Sequence, residues 1–265
     1  MKILSFNING IESSFKKNLT ELLLKIDADI ICLGEIKLSS KYSIDKYFDK
    51  FDKYNIYMNE CKIKSGYAGT CILSKIKPIN IMYGLNYSTN KNDDKEGRCI
   101  TLEFKNFYLI FTYVPNSGEN LQFKEKRLIW DKFFHSYVSN LLNNKEIIIT
   151  GDLNVARFKN DVFDGLKNKK RPLSAGYTTY ERFNFETLLN ACNLVDVWDK
   201  LHKNKIKEGY SFWSYRIPKS RYHNLGWRLD YFVVSYNLVD KIIFMKNLQN
   251  IEISDHSPQL IQIDI

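Results

Sequence analysis

Residues 2–35 read KILSFNINGIESSFKKNLTELLLKIDADIICLGE, and this stretch decides the fold class. Lys2–Asn7 (KILSFN) has the pattern of a buried strand, Phe15–Ile26 places apolar residues at helical spacing, and Asp29–Glu35 (DIICLGE) is again a strand. Strand, helix and strand in that order form a βαβ unit, whose two strands lie parallel in one sheet. Outward from it, the sequence predicts strands at Gly69–Ser74, Cys99–Phe104, Phe107–Val114, Glu146–Thr150, Leu229–Ser235, Ile242–Met245 and Pro258–Asp264, with helices at Phe123–Leu142 and Thr179–Ala191. Strands outnumber helices by roughly two to one, which suits an α/β domain of two face-to-face sheets with helices outside better than a doubly wound sheet.

The 265 residues hold 39 Lys plus Arg against 30 Asp plus Glu, a formal charge of +9, on a composition that is 44% hydrophobic. That balance excludes intrinsic disorder and fibrous architectures. No linker, repeat or low-complexity tract divides the chain, so a single domain over residues 1–265 is expected. A chain of this length buries roughly 75% of its extended surface without a disulfide or structural metal. The five cysteines are odd in number and never spaced C-x-x-C, the pattern of reduced thiols. The opening residues run straight into a strand without a signal or transit pattern, and no apolar run of about 18 residues exists. An intracellular protein, off membranes and located where its substrate is, is the expectation. Phosphate-binding G-x-x-x-x-G-K-[ST], G-x-G-x-x-G, G-x-S-x-G and H-E-x-x-H motifs are all missing, which removes the chemistries they carry. The positive balance favours a polyanionic partner.

The chemical signal lies where apolar runs end in polar groups. ILSF leads to Asn7 and Asn9, DIICLG to Glu35, EIIIT to Asp152 and Asn154, GWRL to Asp230, and IEIS to Asp255 and His256. Singly, Asp or Asn after a strand is an ordinary turn former, and a lone histidine is more often structural than catalytic. Glu35 is harder to dismiss, because glutamate is a poor turn residue. A fold that packs these strands side by side gathers several acids, amides and one imidazole at a single rim. Such a gathering needs positive compensation, and a hard divalent cation with oxygen ligands, Mg2+ first among them, supplies it.

The motifs MKILSFNING, ICLGEIK, GYAGT with KEGR, YVPN, GDLNVA, FWSY, GWRLDYF and SDHSP run in this order along the whole chain. Together they resemble the exonuclease III class of abasic-site (AP) endonucleases, within the endonuclease/exonuclease/phosphatase superfamily. The resemblance implies a four-layered α/β sandwich, with two mixed sheets packed face to face and helices outside. It implies a Mg2+-dependent endonuclease of base excision repair, with Mn2+ able to substitute, acting as a monomer on duplex DNA containing abasic sites. Cleavage 5′ to the lesion would leave a 3′-hydroxyl and a 5′-deoxyribose phosphate, with 3′-phosphodiesterase, 3′-phosphatase or 3′–5′ exonuclease side activities. By the same resemblance Glu35, Asn7, Asn9 and Asp255 hold the metal. Asp152 activates water, Asn154 bonds the phosphate or nucleophile, His256 held by Asp230 contacts a phosphoryl oxygen, and Tyr113 is a second phosphate ligand. Phe212, Trp227 and Leu229 form a slot for a base-free deoxyribose, while Lys17, Lys37, Gly66, Tyr67, Arg98, Ser174 and Arg216 fall where the class meets DNA.

The chain departs from the class at Gly34 and Ile36 around Glu35, at Glu12 and Glu119, where relatives place arginines, and at Ser174, which replaces an asparagine. The positive rim would then draw on Lys17, Lys37, Lys62, Lys64, the run Lys167–Arg171, Arg216, Lys219 and Arg221. Two other readings compete: a superfamily relative acting on inositol phosphates, sphingomyelin or undamaged DNA, and a weakened DNA-binding scaffold. GWRLDYF weighs against the first, and intact Glu35, Asp152, Asn154, Asp230 and His256 weigh against the second.

Overall fold

The computed structural model describes residues 1–38, 45–85, 94–163, 174–203 and 205–265. The opening βαβ unit is present: β1 (Lys2–Asn7) and β2 (Ile30–Gly34) pair in parallel, with Ile3 opposite Ile30 and Asn7 opposite Gly34. The single helix expected at Phe15–Ile26 is instead two, α1 (Ile11–Phe15) and α2 (Leu19–Ile26), because Asn18 takes a left-handed conformation with φ 64° between them. Leu19 and Leu23 of α2 turn onto the sheet and leave the polar side in water.

One sheet runs β11 (Ile242–Asn247), β12 (Gln259–Ile263), β1, β2, β4 (Thr70–Ser74), β3 (Asn55–Asn59). The other runs β5 (Asn80–Tyr83), β6 (Cys99–Glu103), β7 (Phe107–Tyr113), β8 (Glu146–Asp152), β10 (Asp230–Ser235), β9 (Leu194–Asp196). Each sheet is mixed, since β7 and β8 are parallel like β1 and β2 while the remaining pairs are antiparallel. Ile3, Ile30 and Ile72 of one sheet pack against Ile100, Leu109, Ile148 and Phe232 of the other, forming the central layer. Helix α4 (Lys124–Leu142) and α5 (Thr179–Ala191) cover the outer face of the second sheet through Trp130, Phe134, Phe185 and Leu188. Helix α2 and the short α3 (Asp45–Phe48) cover the first. The molecule is a four-layered α/β sandwich, as the motifs implied.

Three of the strands, β3, β5 and β9, are missing from the expectation, and all three lie at sheet edges, as does β11, which the sequence did show. An edge strand needs no continuous apolar run, because part of it faces water; NIYMN and NIMY mix Asn with apolar residues accordingly. The short α3 and α6 (Val197–Leu201) were not anticipated either; α6 starts where the Asp196 carboxylate accepts the Asp199 N–H. The run Lys167–Arg171 lies outside the described residues.

A fully enclosed cation ties the residues just before β10 to the end of β9 and to the turn at Asp161. Arg228, 2% exposed, donates to both oxygens of Asp161 at 2.8 and 2.9 Å and to both of Asp196 at 3.0 and 2.8 Å. A buried guanidinium is tolerable only with its partners in place. We therefore expect Asp196→Ala to lower the unfolding free energy by about 3–5 kcal/mol, measured by urea denaturation; a loss within about 0.5 kcal/mol, the effect of an ordinary surface change, would contradict that dependence.

Candidate active site

Pairing brings the polar strand ends to one rim. Asp152 at the end of β8 lies opposite Tyr113 of β7 and Asp230 of β10. In the other sheet Asn7 ends β1, Glu35 follows β2, and Asp255 and His256 precede β12. A buried hydrogen bond joins the two rims, with Asn7 Nδ2 donating to Asp152 Oδ2 at 3.0 Å. His256 Nδ1 donates to Asp230 Oδ2 at 2.7 Å, and its Nε2 stands 3.8 Å from Asp152 Oδ2. Asn154 has its backbone N–H on Asp152 Oδ1 at 2.9 Å, and its own amide oxygen accepts from Asn116 at 2.8 Å.

Asn9, Glu35, Lys37 and Asn154 all hold positive φ, between 46° and 55°. Such backbone costs a non-glycine residue on the order of 1 kcal/mol or more, and it clusters where side chains must be aimed rather than merely packed. Gly151 allows the last turn toward Asp152: its φ is 131°, and a Cβ there would fall 2.0 Å from the Thr112 carbonyl oxygen.

Electrostatics separates the roles these groups can play. Burial raises the Asp152 carboxyl; His256 opposes the rise, while Asp230 and Glu35 reinforce it. Burial works against charge on His256, yet Asp230, backed by Asp152 and Asp255, pushes it up to about 10, so the imidazole is positive at neutral pH. Burial, with Glu35 nearby, pushes Tyr113 well up and keeps it a phenol.

Among the described residues no three His, Cys, Asp or Glu side chains stand together as a metal group. The oxygen-rich spot is built from two carboxylates, Glu35 and Asp255, and from the amides Asn7 and Asn9. Lys37 Nζ lies 3.0 Å from Glu35 Oε1 and donates to Asn9 Oδ1, while Asn9 Nδ2 donates to Asp255 Oδ1 at 2.9 Å. A positive group already sits between carboxylate and amide oxygens, the hard donors a Mg2+-type cation takes. The donor set therefore fits such an ion, with the Lys37 ammonium standing at oxygens it would claim. Gly34 and Ile36 leave these oxygens untouched: a Cβ on Gly34 would be 3.4 Å from Phe111, and Ile36 is fully buried in the core.

A cavity of about 490 Å3 opens over these groups, with Phe212, Trp227 and Leu229 forming its apolar wall and Ser174 at its side. It shares Asn116, Ser174, Phe212 and Asp255 with a neighbouring cavity of about 990 Å3, whose lining includes Glu119 and Arg216. Those two exposed residues face each other at 3.8 Å. Lys17 is exposed and donates to the Ile253 carbonyl. Of the other arginines, Arg221, expected at the positive rim, donates to the Ser254 and His256 carbonyls, and Arg98, expected to meet DNA, is 2% exposed among Glu96, Tyr67 and Tyr113.

Sequence reasoning missed Asn116, Arg127 and Ser211. Buried Arg127 donates to the carbonyls of Pro115, Leu153 and Asn154, holding both catalytic-side loops to α4. Ser211 Oγ accepts from the Leu229 and Asp230 N–H groups at 3.0 Å each. Neither residue sits in an apolar-to-polar switch, so pattern alone gave no signal. Asn116 carried one, as the last letter of YVPN.

Residues 4–256 match the Endonuclease/Exonuclease/phosphatase family, and the chain belongs to it. Within that family it falls in the exonuclease III class of AP endonucleases. It is 36% identical to the Exodeoxyribonuclease of Bacillus subtilis (strain 168), covering 100% of both chains. It is 40% identical to the DNA-(apurinic or apyrimidinic site) endonuclease of Dictyostelium discoideum, over 100% of this chain and 71% of that one. The crystal structure of AP endonuclease LMAP from Leishmania major superposes with a TM-score of 0.86 at 28% identity, covering 100% of this chain and 87% of that one.

The floor under Arg98 is testable by pH. Burial raises the Asp94 carboxyl to about 6, against N–H bonds from Arg98 and Cys99 that favour its charge. A raised acid stabilises the fold fully below its ordinary range, about pH 4, and loses that contribution as pH rises through about 6. The stability advantage of wild type over Asp94→Asn should therefore shrink from pH 4 to pH 7 in denaturant titrations. A pH-independent difference would refute the shift.

Proposed function

We propose that this chain, as one catalytic domain over residues 1–265, is a divalent-metal-dependent AP endonuclease of base excision repair. It hydrolyses duplex DNA 5′ to an abasic site, leaving a 3′-hydroxyl and a 5′-deoxyribose phosphate. The carrying observation is the convergence of a buried acid, an imidazolium and oxygen donors beside an apolar slot. The relative named Exodeoxyribonuclease supports a 3′–5′ exonuclease side activity, and 3′-phosphatase or 3′-phosphodiesterase action would use the same centre. No helix among the described residues is long and apolar enough to cross a membrane. The enzyme acts as a monomer in the compartment that holds the DNA.

Hydrolysis is an in-line displacement at phosphorus, with water entering on one side and the 3′-oxygen leaving on the other. Asp152, raised by burial, accepts the proton of the attacking water, while Asn154 orients it. His256 donates from Nε2 to a non-bridging phosphate oxygen, and Asp230 on Nδ1 keeps the ring charged and aimed. The Tyr113 phenol donates to the same phosphate. A Mg2+ held by Glu35 and Asp255 with Asn7 and Asn9, or Mn2+ in its place, would neutralise charge developing on the phosphoryl group. Phe212, Trp227 and Leu229 enclose a deoxyribose that carries no base. Extrusion costs least where no base is stacked or paired, so the slot selects abasic sites. Lys17, Lys37, Tyr67 and Ser174 border the path of the strand, and Arg216 reaches it past Glu119.

A duplex with a single tetrahydrofuran abasic analogue tests the reading. Incision at the analogue with Mg2+ and none with EDTA is expected; no metal-dependent incision, or equal cutting at undamaged positions, would overturn it. Glu35→Ala and His256→Ala should each lower kcat by about 100-fold or more with folding intact, the usual cost of losing a group aimed at developing charge.

A further inference from the structure

We propose that Arg98 is a positioning residue, a strut that places the Tyr113 and Tyr67 rings, rather than a ligand of DNA phosphate. The inference rests on the proposed nuclease reading and deepens it. All three nitrogens of the guanidinium are engaged within the protein. Nε donates to Glu96 Oε2 at 2.6 Å, Nη1 to the Tyr113 carbonyl at 3.0 Å, and Nη2 to the Tyr67 hydroxyl at 3.0 Å. Its centre lies 4.6 Å from the Tyr113 ring centroid and 5.6 Å from that of Tyr67. The Tyr113 N–H also bonds the Arg98 carbonyl at 2.8 Å, so Tyr113 is held at its backbone on both sides and at its ring.

The strut stands on a firm base. Asp94 accepts the Arg98 and Cys99 N–H groups and the Asn59 amide, and Thr70 bonds the Gly97 carbonyl. Gly97, at φ +66°, is pressed so close that a Cβ would fall 2.2 Å from the Asn59 carbonyl oxygen. Glu96 in turn bonds Lys126 of α4, so the guanidinium links the loop bearing Tyr67, the end of β7 and α4. With 3% of its side chain exposed, Arg98 has no face to offer a phosphate. Only a planar fork donates in these three directions; an ammonium is a single point of charge.

The experiment compares Arg98→Met and Arg98→Lys for steady-state incision of the abasic duplex and for the salt dependence of binding to it. A strut predicts that both variants lose kcat by about 10-fold or more, since displacing an aligned group by an ångström costs up to about 100-fold. The slope of log affinity against log salt stays unchanged, because neither tyrosine carries charge. In a Tyr113→Phe background the Arg98→Met loss should largely vanish, because the two residues act as one unit. The proposal is overturned if Arg98→Met flattens the slope by about 0.9, the signature of one lost phosphate contact, with kcat kept and Arg98→Lys restoring binding. Additive losses in the double variant would overturn it too. Should the Arg98 variants not fold, Glu96→Gln decides: a loosened strut lowers kcat at constant slope, whereas a freed phosphate ligand steepens the slope. A wild-type protein that does not incise the duplex fails the nuclease reading, while the binding slopes still report on Arg98.

Discussion

A buried hydrogen bond, from the Asn7 amide to the Asp152 carboxylate, ties the rims of two sheets whose central contact is apolar, and the Gln259 amide on the Asp230 carbonyl and the Asn59 amide on the Cys99 carbonyl are further polar ties between them. The central layer of Ile, Leu and Phe fixes the spacing of the sheets but is indifferent to small slides between them. A polar contact between residues 145 positions apart is directional, so it sets the height at which β1 and β8 end relative to each other. The reactive groups follow from that height: Tyr113 and Asp230 are level with Asp152 by strand register, and Glu35 comes one residue after Gly34, the partner of Asn7. Bringing carboxylates together there is unfavourable by itself. The cost is offset by a charged His256 and by Lys37, and the oxygens around Lys37 suit a stronger cation.

Around this point the backbone departs from its easy conformations. The left-handed residue Asn9 sits on the turn leaving β1, Glu35 and Lys37 on the segment leaving β2, and Asn154 on the turn leaving β8. Interior hydrogen bonds hold these turns, Gly10 to the Glu35 carbonyl and Lys37 to the Ala68 carbonyl among them. Stability in the two cores thus supports strain at the rim. Ile36, an apolar side chain next to the carboxylate Glu35, belongs to this support, filling the space against Gly69.

Much of this was legible in the amino-acid order. Central strands are apolar on both faces, so runs such as DIICLG and EIIIT stand out, and the sudden carboxylate after each marks the rim. Edge strands β3 and β5 were invisible because their partial exposure to water removes the need for such runs, and β9 because three residues are too short to show a pattern. The break at Asn18 was hidden because helical spacing continues across it. Roles that depend on neighbours from distant parts of the chain were the hardest to see: Arg98 reads as a basic residue near DNA until its three partners are known, and Ser211 reads as any serine.

The arginines divide sharply from the lysines. Arg98, Arg127, Arg157 and Arg228 form ion pairs in the interior or at its margin, Arg221 binds two carbonyls, and Arg182 lies over the Tyr177 ring. Among the described arginines Arg216 alone extends into solvent, with 86% of its side chain exposed. The wiring of the fold is therefore guanidinium, while the outward field is almost wholly ammonium. Apart from lysines such as Lys37, Lys126 and Lys145, which bond Glu35, Glu96 and Glu103, surface lysines can be gained, lost or acylated without disturbing these guanidinium ties. Affinity for a polyanion can then drift through evolution, or be tuned in the cell, on a scaffold that does not register the change.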